Sequence, residues 1–169
     1  VLHIAPEPCF IERLRSRLTG RYLTADLQDE AAMVKLDITD IQFAAETFDV
    51  IYCSHVLEHV LDDRQALSEL YRVLKTGGWA ILNVPIVGEK TFEDSSVVEP
   101  LERLRLFGET DHVRVYGRDY LDRLKEAGFE TSIVMPTDFL DVEEIGRMGI
   151  TDAAGEIFYC AKATTSTTA

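Results

Sequence analysis

The residues of this chain best suited to chemistry sit where apolar runs end. Asp26, next to Leu27, closes the run 21–27. It lies about twenty residues beyond the loop 5–8, the spacing at which a carboxylate can accept hydrogen bonds from both hydroxyls of a ribose. A solvated aspartate at a strand end would look the same. Asp37 ends the run 33–38, where its carboxylate could accept from an adenine amino group while the Ile38 N–H donates to the ring. Asp37 and Asp40 could equally be turn formers flanking a short loop. Cys53, Ser54 and His55 follow the run 48–54 out of its last turn. His55, His59 and His112 can each move a proton near neutral pH. His112 falls in the cluster D-H-V-R-V-Y with Asp111, Arg114 and Tyr116, which could face a substrate or be a salt-bridged loop in which Asp111 and Arg114 only fix the shape.

Such residues need a scaffold that gathers strand ends. Residues 1–5 (VLHIA) are a short apolar run, Phe10, Ile11, Leu14 and Leu18 then share a helical face closed by Gly20, and residues 21–27 resume as a strand. Strand, loop, helix and strand make a βαβ unit, which implies a parallel sheet. Residues 33–38 suggest a third strand. Residues 48–54 are apolar nearly throughout, as a central strand covered on both faces should be. Residues 62–75 place Ala66, Leu67, Leu70, Val73 and Leu74 at helical spacing, with aspartates at the start and Gly77 and Gly78 just past the end. Strands at 79–84, 130–135 and 157–161 and helices at 100–106 and 118–127 complete the pattern. In an open parallel sheet, ligands bind at the carboxyl ends of the strands where the strand order reverses. Residues 86–117 are long for a connection and read as an active-site cover.

Composition narrows the function classes. The 169 residues suffice for one domain with its own core, here 1–162, while the Thr-rich end 163–169 reads as a disordered tail. A net charge of −13 disfavours a nucleic-acid backbone as partner and favours a small-molecule substrate. No apolar run is long enough to span a bilayer. Cys9, Cys53 and Cys160 contain no C-x-x-C pair, so neither a disulfide framework nor a metal site is expected, and a reducing cytoplasmic setting fits. The chain opens directly on a strand, which suggests that an N-terminal region of a longer protein precedes it.

The stretch L-D-I-T-D-I-Q-F, then F-D-V-I-Y-C-S-H-V-L-E-H-V-L-D-D, then L-S-E-L-Y-R-V-L-K-T-G-G-W-A-I-L-N-V-P resembles the methyltransferase type 11 group of class I S-adenosylmethionine-dependent enzymes. The first loop resembles a subgroup that opens with L-H-x-A-P-E and carries a cysteine-rich, zinc-binding segment upstream. The resemblance implies a Rossmann-like, doubly wound, mostly parallel seven-stranded sheet ending in an antiparallel strand pair. It also implies S-adenosylmethionine as cofactor, with Asp26 on the ribose hydroxyls, Asp37 and Ile38 at the adenine, and Cys53, Ser54 and His55 beside the methionine part. His112 and His59 are then the candidate catalytic residues. One departure stands out: the glycine-rich turn of the family is replaced here by Ala5-Pro6-Glu7-Pro8. Two prolines supply no N–H at their positions, so close backbone binding should be weaker. Glu7 could compensate by facing the ammonium and sulfonium charges, or could be a helix-start glutamate favoured by the macrodipole. Two other functions fit parts of the pattern, a binding module that has lost turnover and a nucleotide-dependent oxidoreductase, although the latter lacks its G-x-G-x-x-G loop.

Overall fold

The computed structural model describes residues 1–150 and 155–164; most of the expected tail, 165–169, lies outside the described residues. In chain order the strands are β1 (Leu2–Ile4), β2 (Leu23–Asp26), β3 (Val34–Lys35), β4 (Phe48–Ser54), β5 (Leu74–Asn83), β6 (Phe92–Glu93), β7 (Arg114–Val115), β8 (Glu130–Val134) and β9 (Ile157–Ala161). Seven of them form one sheet in the order β3-β2-β1-β4-β5-β9-β8. The first five are parallel, and β9 runs antiparallel to both β5 and β8. This is the Rossmann-like sheet with a terminal antiparallel pair that the sequence implied. Strand order reverses between β1 and β4, so a crevice opens at their carboxyl ends.

The helices are α1 (Pro8–Arg17), α2 (Asp63–Val73), α3 (Pro100–Phe107), α4 (Tyr120–Glu126) and α5 (Val142–Met148). α2 buries Ala66, Leu67, Leu70 and Val73 completely, all on one face. Each such leucine contributes about 1.5–3 kcal/mol by leaving water. Its first turn is capped by the Asp62 side chain, which accepts from the Gln65 N–H at 3.0 Å. α1 is less secure. None of its residues is fully buried, and Phe10 only leans an edge against the Tyr52 ring.

Several boundaries differ from the sequence expectation, two of them with a clear physical cause. The helix 62–75 stops at Val73, and β5 begins at once with Leu74, five residues before the expected start of that strand. Leu74 keeps the helical period but is drawn into the sheet opposite Phe48, where it is fully buried. Gly77 and Gly78 therefore lie inside a strand rather than ending a helix. The register shifts between Phe48 and Val50, and a Cβ at Gly78 would meet backbone oxygens of Asp49 and Lys75 at 2.8 Å. The third strand also shrinks to Val34–Lys35, because at the sheet edge residues 36–38 leave the ladder while Leu36 and Ile38 still point into the core.

The segment 86–117 has structure of its own. β6 pairs with β7 in a separate antiparallel ladder, Phe92 opposite Val115 and Glu93 opposite Arg114. Phe107, Val113, Arg114 and Tyr116 are buried, so the segment is anchored into the body of the domain. Neither these two-residue strands nor α5 was anticipated, the former being too short to show a period.

Candidate active site

Parallel strands deliver their last residues to one edge, and the backbone there is bent sharply. Ala5 after β1 and His55 after β4 have φ of +46° and +56°. Ile4 and Cys53 are register partners, so Ala5 is level with Ser54 and His55 lies one residue further along, and both left-handed residues stand at the strand-order reversal. Holding a non-glycine residue in this region costs about 1–3 kcal/mol, and such strain clusters at functional sites. The turn that a glycine would make in the first loop is made here by Ala5, whose N–H donates to Ala25 O at 2.9 Å.

Beneath these turns lies a cavity of about 400 Å³, lined by Ala5, Asp26, Leu27, Asp37, Ile38 and His55 among the expected residues, and by His59 and Asp111 on its far side. The carboxylates are set by their own loops. Asp26 Oδ1 accepts from the N–H groups of Gln28 and Asp29 at 2.7 and 2.8 Å, which fixes the group and leaves Oδ2 for a ligand's hydroxyls. Asp37 Oδ1 accepts from the Thr39 hydroxyl at 2.7 Å and the Thr39 N–H at 2.8 Å. The hydroxyl first, then the amide, hold this carboxyl below its ordinary pKa, so it stays an acceptor.

Three residues expected at the cofactor do not line this cavity. The Glu7 carboxylate is taken by His3: Oε2 lies 2.7 Å from Nε2 of this fully buried ring, whose Nδ1 is 2.6 Å from the Tyr22 hydroxyl. Cys53 alternates into the core, and burial pushes its thiol well up, which keeps it neutral. Ser54 stands between Cys53 and the lining residue His55, off the wall. His112 is one step removed. Its ring meets that of His59 edge-on at 4.7 Å between centroids, while Asp111 next to it reaches the cavity directly.

A second cavity, about 470 Å³, opens at the ends of β4, β5 and β9, with Asn83, Pro85, Arg118, Glu156 and Phe158 in its wall. His55 lines both cavities. Beside them, Arg114 acts as a clamp. This buried side chain donates from Nη1 to the carbonyls of Leu57, at 2.8 Å, and Val60, from Nη2 to that of Leu61 at 2.8 Å, and from Nε to Glu93 at 2.9 Å. Arg123 holds both oxygens of Asp63 at 2.7 and 2.9 Å, and Tyr116 donates to Asp63 at 2.7 Å. The turn Leu57–His59 after β4 is thereby tied to the segment 86–117, and the Val113 N–H adds a bond to Glu58 O at 2.9 Å.

Gln28 and Leu36 in the wall of the first cavity, Asn83 in that of the second, and Glu58 in the turn after β4 were not singled out in the sequence. Only Glu58 carried a signal, an acid beside a histidine just past the central strand.

The comparisons with known proteins bear on the fold. Residues 1–82 match the family model described as a methyltransferase domain, of the type 11 group. The S-adenosylmethionine-dependent methyltransferase of Mesorhizobium loti superposes with a TM-score of 0.62 at 13% identity, over 94% of this chain and 88% of that one. The fold is that of a class I methyltransferase. A demethylmenaquinone methyltransferase of Clavibacter sepedonicus is 37% identical over 68 residues, 40% of this chain and 25% of its own length. An uncharacterized protein of Methanocaldococcus jannaschii is 24% identical over 117 residues, 69% of this chain and 55% of its own. The chain thus spans about half or less of these curated relatives. In this chain the crevice between the first and fourth strands is the 400 Å³ cavity. No described helix is long and apolar enough to cross a membrane.

Proposed function

We propose that this domain transfers a methyl group from S-adenosylmethionine to a small-molecule acceptor. The observation that carries the reading is the pair of cavities along the carboxyl edge of the sheet, which share His55. One has the groups for a nucleoside, and the other is free for an acceptor.

The donor supplies an electrophilic methyl on a sulfonium. Asp26 binds the ribose hydroxyls through Oδ2, and Asp37 accepts from the adenine amino group beside the buried Ile38. Ala5 lets the backbone turn away from the ligand where prolines follow. His55, at the junction, borders the space where methyl and acceptor meet. Displacement at a methyl carbon asks mainly for in-line positioning, worth up to about 7–11 kcal/mol, plus a base if the acceptor is a hydroxyl. His59 is placed for the second task, with His112 against its ring.

Thermal shift with S-adenosylhomocysteine and, separately, NAD tests the donor assignment, since a ligand of the native state raises its melting point by mass action. Stabilisation by S-adenosylhomocysteine is expected; stabilisation by NAD alone would sink the reading. With an acceptor found from a panel of labelled-methyl assays, His112→Ala should depress transfer more than donor affinity. Equal loss of both would make His112 a structural residue.

A further inference from the structure

We infer that Glu58, His59 and His112 form a site for one divalent transition-metal ion at the wall of the donor cavity. This departs from the sequence expectation, which weighed cysteines alone and found no metal site. A carboxylate oxygen of Glu58 and one ring nitrogen from each histidine lie within 4.8 Å of one another. Ligands on a tetrahedral ion with bonds of about 2.0–2.2 Å sit about 3.4 Å apart, so side-chain rotations of about an ångström close the set.

Glu58 supplies the independent reason. It is 1% exposed, and among the described residues its Oε2 has no hydrogen-bond partner. Its other oxygen, Oε1, is 3.2 Å from His55 Nδ1. An orphaned carboxylate oxygen in the interior is costly unless something positive meets it, and native proteins rarely leave one.

The two rings are already held as metal-binding imidazoles are held. His59 Nδ1 lies 3.2 Å from Asp111 Oδ2, and His112 Nδ1 lies 3.3 Å from Phe107 O. With Nδ1–H of His112 donating to the Phe107 carbonyl and Nδ1 of His59 beside the Asp111 carboxylate, Nε2 of each ring keeps its lone pair, the arrangement in which an outer carboxylate or carbonyl fixes the tautomer of a ligand. The backbone bond from Val113 N to Glu58 O and the Arg114 clamp hold the two halves of the site together across the intervening chain. Two imidazoles and one carboxylate suit zinc, manganese, cobalt or iron(II) better than calcium or magnesium, which favour oxygen ligands. Three protein ligands leave at least one position open.

The site also names an acceptor class, a step that rests on the methyl-transfer reading. His59 lines the donor cavity, so a hydroxyl of the acceptor held at the open position would lie beside the donor with its acidity raised by the ion. With the ion bound, His59 serves as its ligand in place of the base: the hydroxyl proton leaves to solvent, the new C–O bond forms as the sulfonium S–C bond breaks, and an ether and a neutral thioether result.

The test uses the full chain, freed of metal by chelation and dialysis, in a Cys9→Ser background that removes the one exposed thiol. Cobalt(II) titration followed by visible absorption, and zinc(II) and manganese(II) titration by calorimetry, should show one saturable equivalent. Asp111→Asn, whose side chain is 70% exposed and outside the ligand set, should weaken binding by about tenfold, and Glu58→Gln by more. Melting curves confirm that both variants are folded, and the exposed Asp111 variant keeps the test valid if Glu58→Gln is not. Absence of one-to-one binding in the parent chain, or unchanged affinity in folded variants, overturns the inference. S-adenosylhomocysteine binding without metal binding defeats the metal site and leaves methyl transfer standing; metal binding without S-adenosylhomocysteine binding does the reverse.

Discussion

Arg114→Leu removes the clamp while keeping an apolar stem, and its cost can be worked from the structure. Arg123 still satisfies Asp63 and Glu93, so neither carboxylate is left alone. The carbonyls of Val60 and Leu61 lose this donor, while that of Leu57 keeps the Val60 N–H and the Tyr116 hydroxyl; a buried acceptor without a partner costs about 1–3 kcal/mol. Removing one member of a buried ionic cluster costs about 3–5 kcal/mol in general, and two part-rehydrated carbonyls fall in the same range. For a domain of this size each kcal/mol lowers the melting temperature by about 2–4 °C, so a fall of about 6–20 °C is expected. The companion is Arg64→Ala, which removes an ion pair with Glu126 in which both side chains are 57% exposed. An exposed pair contributes about 0–1 kcal/mol, so this melt should hardly move. Circular dichroism melts of both variants decide the matter. If Arg114→Leu melts within about 2 °C of the parent, or both variants fall alike, burial of the clamp is not what stabilises the turn after β4.

Asp26→Asn should weaken S-adenosylhomocysteine about 10- to 150-fold by calorimetry, the equivalent of one charge-assisted hydrogen bond of about 1.5–3 kcal/mol; an unchanged affinity would remove Asp26 from the ligand. Glu7→Ala should leave that affinity unchanged but strand the buried His3 nitrogen, lowering the melting temperature by about 2–12 °C. The opposite pattern, weaker binding at full stability, would return Glu7 to the cofactor. Acid should unfold the protein partly through Glu93, whose carboxyl is held at about 2 by Arg123 first and Arg114 second, against 4.5 for the free group. A depressed folded-state pKa contributes stability that is complete above 4.5 and lost as the pH falls toward 2, so Glu93→Gln should flatten the melting temperature against pH across that window. An unchanged slope would refute this.

Much of the sheet was legible because continuous apolar runs need cover on both faces, as β4 shows. What the period could not show was the end of α2. Leu74 continues the helical spacing, but its pairing with Phe48 is a long-range contact, invisible in a local pattern. The site divides the same way. Asp26, Asp37 and His55 line one cavity, as expected of strand ends that a parallel sheet sends to one edge. Cys53 and Glu7 were misplaced because nearness to a strand end does not fix the direction of a side chain: one alternates into the core, and the other is turned back to His3. The meeting of His59 with His112 depends on the Arg114 clamp and the Val113 amide bridging residues more than fifty positions apart, for which no spacing rule exists.

The left-handed turns at Ala5 and His55 bear on how this sequence can drift. At such φ values β-branched residues are all but barred, whereas glycine, asparagine and aspartate are admitted. Positions 5 and 55 therefore have a short alphabet, set first by backbone shape. A glycine in the first loop is one spelling of that shape and alanine another. Descendants of this chain could exchange the two freely and so lose or regain the glycine signature without moving the cavity wall.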